Sequence, residues 1–239
     1  MDTMENQQGN SHESALHRLA YTVGFFLGDG SLSSYPFISP KNGVEYYKND
    51  VAFGKPDLEV IEKVRDQIAD VFGKSYAIVH RKLKSGLPYF ELTAHRRGIF
   101  AFFAVNTMMK SQIPALYFSA SPAIKKELLT GLFDADGHVA EFIDGTRNTR
   151  RWQMGFSNTN RRLVEETASL LQQVGVKVGQ ISEANKAGYR TCFIIHPNMR
   201  SWGEAGFRFV SRRRQQKFDA YLAHVNASET LCTEAATAA

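Results

Sequence analysis

Two stretches of this chain are built alike, and together they restrict its fold more than anything else in the sequence. Tyr21-Thr22-Val23-Gly24-Phe25-Phe26-Leu27-Gly28-Asp29-Gly30 and Leu128-Leu129-Thr130-Gly131-Leu132-Phe133-Asp134-Ala135-Asp136-Gly137 both read as an apolar helix ending in Asp-Gly. Each carries two small residues four apart, Gly24 with Gly28 and Gly131 with Ala135. Residues at that spacing share one helix face, so two such helices can bring their backbones close together. A glycine after the aspartate suits a helix C-terminus, where a left-handed residue commonly ends the helix. Each acid then faces the negative pole of its own helix dipole. If the helices lie side by side, Asp29 and Asp136 also repel each other. One Asp-Gly alone is an ordinary turn. The same local rule broken twice points to function, and a divalent cation held by both carboxylates is the simplest compensation.

The rest of the chain repeats as well. Asp29 and Asp136 lie 107 positions apart, while Phe53 to Phe156 and Asp57 to Asn160 are both offsets of 103. Asp57 and Asn160 are suitable N-caps for helices with apolar Val60, Ile61, Val64, Ile68 and Val71, and Leu163, Val164, Leu170, Leu171 and Val174. The pattern predicts motif helices over 13–29 and 122–136. In the first half it adds strands over 31–39, 45–54, 75–83 and 87–94, with helices over 57–72 and through Ile99–Val105. In the second it adds strands over 138–144, 149–157, 177–184 and 188–196 and a helix over 160–174. The expected class is α+β, two αββαββα halves related by a pseudo-twofold axis between the motif helices. Boundaries fall at a polar, disordered tail 1–12, a first half 13–114, a linker 115–121 bracketed by Pro114 and Pro122, a second half 122–224 and a disordered tail 225–239.

Bulk properties narrow the partners. With 239 residues, 43% of them hydrophobic, the chain can bury one good core or two small ones. A formal charge of +5 suits a polyanion without requiring one. Cys192 and Cys232 lack metal-like spacing and read as free thiols in a reducing compartment. With no charged-then-apolar leader and only short apolar runs, an intracellular protein outside the membrane is expected, in a compartment left open.

The second stretch resembles, nearly letter for letter, the signature of the LAGLIDADG homing endonucleases, its nine positions being Leu129 to Gly137. The first keeps Gly24, Gly28, Asp29 and Gly30 but has Leu27 where the family usually has an earlier acid. The resemblance implies a single-chain, two-motif enzyme that acts as a monomer on double-stranded DNA. By it, Asp29 and Asp136 bind the catalytic metals, with Gly28 and Ala135 as further metal positions. Two or three Mg²⁺ ions are implied, Mn²⁺ or Ca²⁺ being able to substitute in binding. It also implies cleavage across the minor groove, leaving 3′ overhangs at a long asymmetric target, and a coding sequence within a mobile intron or descended from an intein.

Around the metals the family usually places basic and polar residues. Lys55 and Asn158, at the ends of matching second strands, fit that role, as do Lys110 and one of Arg212, Arg213 or Lys217. Asp134, two residues before Asp136, points elsewhere on the helix and reads as a structural hydrogen-bonding group. His138 either approaches the metals or simply begins a strand. The antiparallel sheets are expected to form the arms of a DNA-holding saddle, one face wet and one packed on helices. Contact candidates are Ser31, Ser33, Tyr35, Tyr46, Tyr47, Lys48, Asn49, Arg81, Lys82 and Lys84 in the first half. The second offers Arg147, Asn148, Arg150, Arg151, Trp152, Gln153, Asn185, Lys186, Tyr189 and Arg190. Two other classes stay open, an RNA maturase acting on its host intron and a catalytically silent DNA-binding regulator.

Overall fold

The computed structural model describes residues 13–146 and 149–237, with side chains described as far as Ala227. The expected tail 1–12, the candidates Arg147 and Asn148, and the thiol of Cys232 lie outside the described residues. After a helical stretch at 13–18, the first half runs α1 (Ala20–Asp29), β1 (Ser31–Ile38), β2 (Glu45–Lys55), α2 (Leu58–Phe72), β3 (Ile78–Lys82), β4 (Pro88–Ala94) and α3 (Arg97–Asn106). A single turn, α4 (Leu116–Ser119), leads into the second half: α5 (Pro122–Asp136), β5 (Gly137–Asp144), β6 (Thr149–Asn158), α6 (Arg161–Gln173), β7 (Ser182–Ala184), β8 (Cys192–Ile195), α7 (Met199–Glu204) and α8 (Arg212–Thr237). Each half forms a four-stranded antiparallel sheet, ordered β1-β2-β4-β3 and β5-β6-β8-β7. Among the described residues no helix is long and apolar enough to cross a membrane.

The motif helices make the centre. A Cβ at Gly24 would overlap the Leu128 carbonyl oxygen, one at Gly131 the Tyr21 carbonyl oxygen, and one at Gly28 the Cβ of Ala135. The small residues are therefore where the two backbones touch. Around them Phe25, Phe26, Leu27, Leu128, Leu129, Leu132 and Phe133 are fully buried and join both halves into one apolar core. Leu27 thus occupies, as a core residue, the place of the missing earlier acid.

Four expectations need correction. Gly30 and Gly137 are not left-handed: their φ values are −67° and −79° with extended ψ. They are glycines because the chain turns from helix straight into strand across the last helical turn, where a Cβ would press on Phe26 Cα at 2.7 Å and on Phe133 Cα at 2.8 Å. Asp57 makes no side-chain cap for α2, whereas Asn160 accepts the Leu163 N–H at 3.4 Å. The third strand of the second half is only Ser182–Ala184 long, with Val178 bridged to Pro197 ahead of it. An edge strand partnered by a proline, which has no N–H to donate, cannot extend the ladder. Finally, α8 continues to Thr237 instead of giving way to irregular chain at 225, in keeping with the high helix propensity of its Ala, Glu and Leu residues.

Candidate active site and nucleic-acid face

Each motif acid stands at the point where a buried helix passes into the first strand of its own sheet. The place that a Cβ of Gly28 would occupy is 3.3 Å from both Cγ and Oδ2 of Asp136, so the second acid lies against the end of the first helix. Burial, and then the charge of Asp29, push the Asp136 carboxyl up to about 6; the Asn158 amide, Lys55 and Lys110 pull the other way. Asn158, at the end of β6, donates to Asp136 Oδ2 at 3.0 Å. Lys55, at the matching end of β2, pairs with Asp29 Oδ2. The two half-sites are thus equivalent in position but not in charge: a cation faces one acid, a neutral amide the other.

A pair of cations, Lys110 and Arg214, grips the backbone around the acids. Lys110 Nζ donates to the carbonyls of Gly28 and Gly30 at 2.8 and 2.6 Å. Burial lowers its pKa, with Asp136 and Asp29 opposing. Met108, Met109 and Lys110 all have left-handed φ, at 46°, 56° and 70°. For non-glycine residues that costs about 1–2 kcal/mol each, and it turns the chain tightly after α3. In the second half the expected basic residue is not the one present. Arg212, Arg213 and Lys217 are exposed, and Arg212 contributes only its backbone N–H, donated to Glu59 Oε1 at 2.7 Å. The side chain that reaches in is Arg214, donating to Gly137 O at 3.2 Å and Ala135 O at 3.5 Å. Arg214 and buried Phe218 are one helical turn apart on the same face of α8. The apolar phase of that helix, anchored on Phe218, was the available signal.

Asp134 is fully buried and accepts from Tyr21 Oη at 3.0 Å and from the N–H groups of Val210 and Ser211 at 2.9 and 3.3 Å. Burial raises its carboxyl to about 6, against those hydrogen bonds and Arg214. It points away from Asp136 and ties both the first motif helix and the entry to α8.

Register sorts the contact candidates by face, since directly paired residues share a side and neighbours along a strand do not. On the face of the first sheet away from the helices lie Ser31, Ser33 and Tyr35, paired with Ala52, Asp50 and Lys48, together with Tyr46. Arg81 joins them through Tyr89, beside a groove of 540 Å³ lined also by Glu91, Thr93 and His95. In the second sheet Arg151 and Gln153 share this face with His138. Tyr47, Asn49, Lys82, Arg150 and Trp152 have the opposite parity and face the helix side. Lys84 lies in the β3–β4 turn, and Lys186, Tyr189 and Arg190 in the β7–β8 turn, where Lys186 Nζ sits 4.9 Å over the Tyr189 ring. Several of these cations are paired: Arg81 with Glu91 at 3.1 Å, Lys48 with Asp50 at 4.0 Å, Arg151 with Asp144 at 3.0 Å and Arg150 with Glu141 at 2.7 Å. Two polar clusters on this face carried no pattern in the sequence. Asp50 takes Tyr35 Oη at 2.9 Å and His95 Nδ1 at 2.7 Å. His196 meets Gln153 at 3.1 Å, with the ring of His138 6.4 Å away. Burial, then His196 and Arg214, lower the pKa of His138, and the residue is the second of strand β5.

Residues 123–223 match the family described as LAGLIDADG-like domain. The whole architecture is similar to the homing endonuclease I-DmoI in complex with DNA and Ca, at a TM-score of 0.52 and 17% identity over 79% of this chain and 87% of that one. It is also similar to the LAGLIDADG homing endonuclease I-GzeII in complex with its DNA target, at a TM-score of 0.57 and 9% identity, covering 89% and 92%. The chain has the LAGLIDADG fold. A curated relative, the tRNA-splicing ligase RtcB of Pyrococcus furiosus, is 23% identical over 221 residues, 85% of this chain but 22% of that protein. The chain spans about a fifth or less of the length of the curated relatives it matches.

Two carboxylates brought together at paired helix ends suit a divalent cation. Among the described residues there is no cluster of three or more His, Cys, Asp or Glu side chains. Mg²⁺ is commonly held by one or two carboxylates with the remaining positions filled by water and substrate oxygens. The donor set here, two mutually repelling carboxylates beside the carbonyls of Gly28 and Ala135, fits that description.

Proposed function

We propose that the chain is a site-specific endodeoxyribonuclease that uses Mg²⁺ to break both strands of a long, asymmetric DNA target and leaves 3′ overhangs. The observation that carries this reading is the meeting of Asp29 and Asp136, one from each half, at paired helix ends where the second acid is held up to about 6 by burial and by the first. Two carboxylates forced together without a cation between them are costly, and the cost makes sense at a metal-binding centre. Bound there by Asp29 and Asp136 with the carbonyls of Gly28 and Ala135, the ion would supply activation of a water and stabilisation of the leaving oxygen.

The protein's own groups do the rest. Lys55 and Asn158 orient the two carboxylates and place a positive and a neutral donor beside the phosphates. Lys110 and Arg214 hold the backbone on either side of each acid. Ser31, Ser33, Tyr35, Tyr46, Lys48, Arg81, Arg151 and Gln153 offer donors and acceptors to base edges and phosphates from two divergent sheets. That divergence supports an asymmetric target, and the shared core supports action as a monomer. A match confined to 22% of a longer ligase supports descent from a mobile intron or intein.

The test takes the sequences flanking the insertion point of the reading frame, joined into one duplex and cloned in a supercoiled plasmid. With Mg²⁺ the wild-type protein is expected to linearise it, and Asp136→Asn to bind with unchanged affinity but not cut. Binding without cutting by the wild type in Mg²⁺ or Mn²⁺ would return the regulator reading.

A further inference from the structure

The two halves exchange supports. Asp57 leaves α2 uncapped and turns across the interface, its Oδ2 3.5 Å from both Nη1 of Arg214 and Nη2 of Arg213. Arg214 is the side chain that holds the carbonyls around Asp136. Glu59, on the first turn of α2, accepts the Arg212 N–H at 2.7 Å. In the other half Asn160 holds the matching place. Its Oδ1 caps α6, while its Nδ2 donates at 2.8 Å to the carbonyl of Ser111, the residue after Lys110. Lys110 in turn holds the carbonyls around Asp29, and Glu166 on α6 accepts the Ile113 N–H at 2.7 Å. The left-handed run Met108–Lys110 needs holding from outside, and the opposite half supplies two of the bonds that follow it.

We propose that Asp57 and Asn160 are positioning residues acting in trans: each fixes the cation that grips the backbone around the other half's motif acid, so neither half-site is ordered without its partner. Asp57 is suited to this because it lies two residues beyond Lys55, which touches Asp29. The segment Lys55-Pro56-Asp57 therefore reaches one acid directly and the other through Arg214. The strand-specific consequence rests on the nuclease reading, while the structural coupling does not.

Two variants keep side-chain shape. Asp57→Asn removes the charge facing Arg214, and Asn160→Asp keeps the cap oxygen but loses the donor to Ser111. Hydrogen exchange on the full chain, free of metal and DNA, reads the coupling. Asp57→Asn is expected to speed exchange at 134–138 and not at 27–31. Asn160→Asp is expected to speed it at 27–31 and 108–113 and not at 134–138. Acceleration confined to the mutated half, or spread evenly, overturns the proposal. On end-labelled target duplex, each variant is expected to slow one strand by roughly 10-fold, as supporting residues around metal sites commonly do, and the two variants to slow opposite strands. Asp57→Glu should restore the rate. Equal slowing of both strands by either variant also overturns it. If the wild type cuts neither strand, the nuclease reading fails and the exchange pattern alone decides the coupling.

Discussion

Asp136 loses its water on folding and meets Asp29 at the same time, and its carboxyl rises from the usual 3.8 to about 6. The folded protein therefore holds this proton more tightly than the unfolded chain does. Stability from protonation is present in full below about 3.8 and lost as pH rises through about 6, so the ionised, metal-free site costs on the order of 3 kcal/mol. Asp136→Asn is accordingly expected to melt higher than wild type in EDTA at pH 7.5, with the difference shrinking toward pH 4. Calorimetry across that range checks it, and an unchanged or lower melting temperature at pH 7.5 contradicts it. Single residues were unevenly legible. Repeated spacing brought out both motif acids and the matching places of Lys55 and Asn158, while the role of that lysine and asparagine came from the family resemblance. Arg214 was legible only through the phase of α8, because three adjacent arginines differ only in which way that helix turns them, and Phe218 packing into the core sets the angle.

Helices and strands follow simple periodicities, and the chain obeyed them wherever one face is buried. The motif helices show what their small residues are for: Gly24 and Gly131 each sit against a carbonyl oxygen of the facing helix. Gly24→Ala must push those backbones apart and is expected to destabilise the protein by about 3 kcal/mol or more, measured by denaturant unfolding. A cost under about 1 kcal/mol would mean the helices can slide. For the strands, face decides role. Arg151 shares a face with Gln153 and His138, while Arg150 turns the other way. If that face binds DNA, Arg151→Ala should weaken binding and lower the slope of log K against log salt by about 1, with Arg150→Ala close to wild type. Salt-dependent binding titrations separate the two. In the sequence the two arginines look alike, because strand alternation assigns a face only once the register with β5 is known.

At the scale of the whole molecule, duplication does not mean independence. The core is continuous across the halves, Tyr21 of the first bonds Asp134 of the second, and Tyr117 between them donates to the Leu16 carbonyl at 2.6 Å. One cooperative unfolding transition is therefore expected, with calorimetric and van't Hoff enthalpies in agreement. Two resolved transitions would show that the halves fold separately.

The amino-acid sequence by itself determined the repeat, the α+β class, the paired helices and the acids at their tips, because each of these is a local pattern of residue size, polarity and spacing. Tertiary structure decided which arginine enters the site, which face each strand residue takes and how the halves support one another. Those depend on helix rotation, strand register and contacts between residues about 50 or more positions apart, which no local pattern encodes.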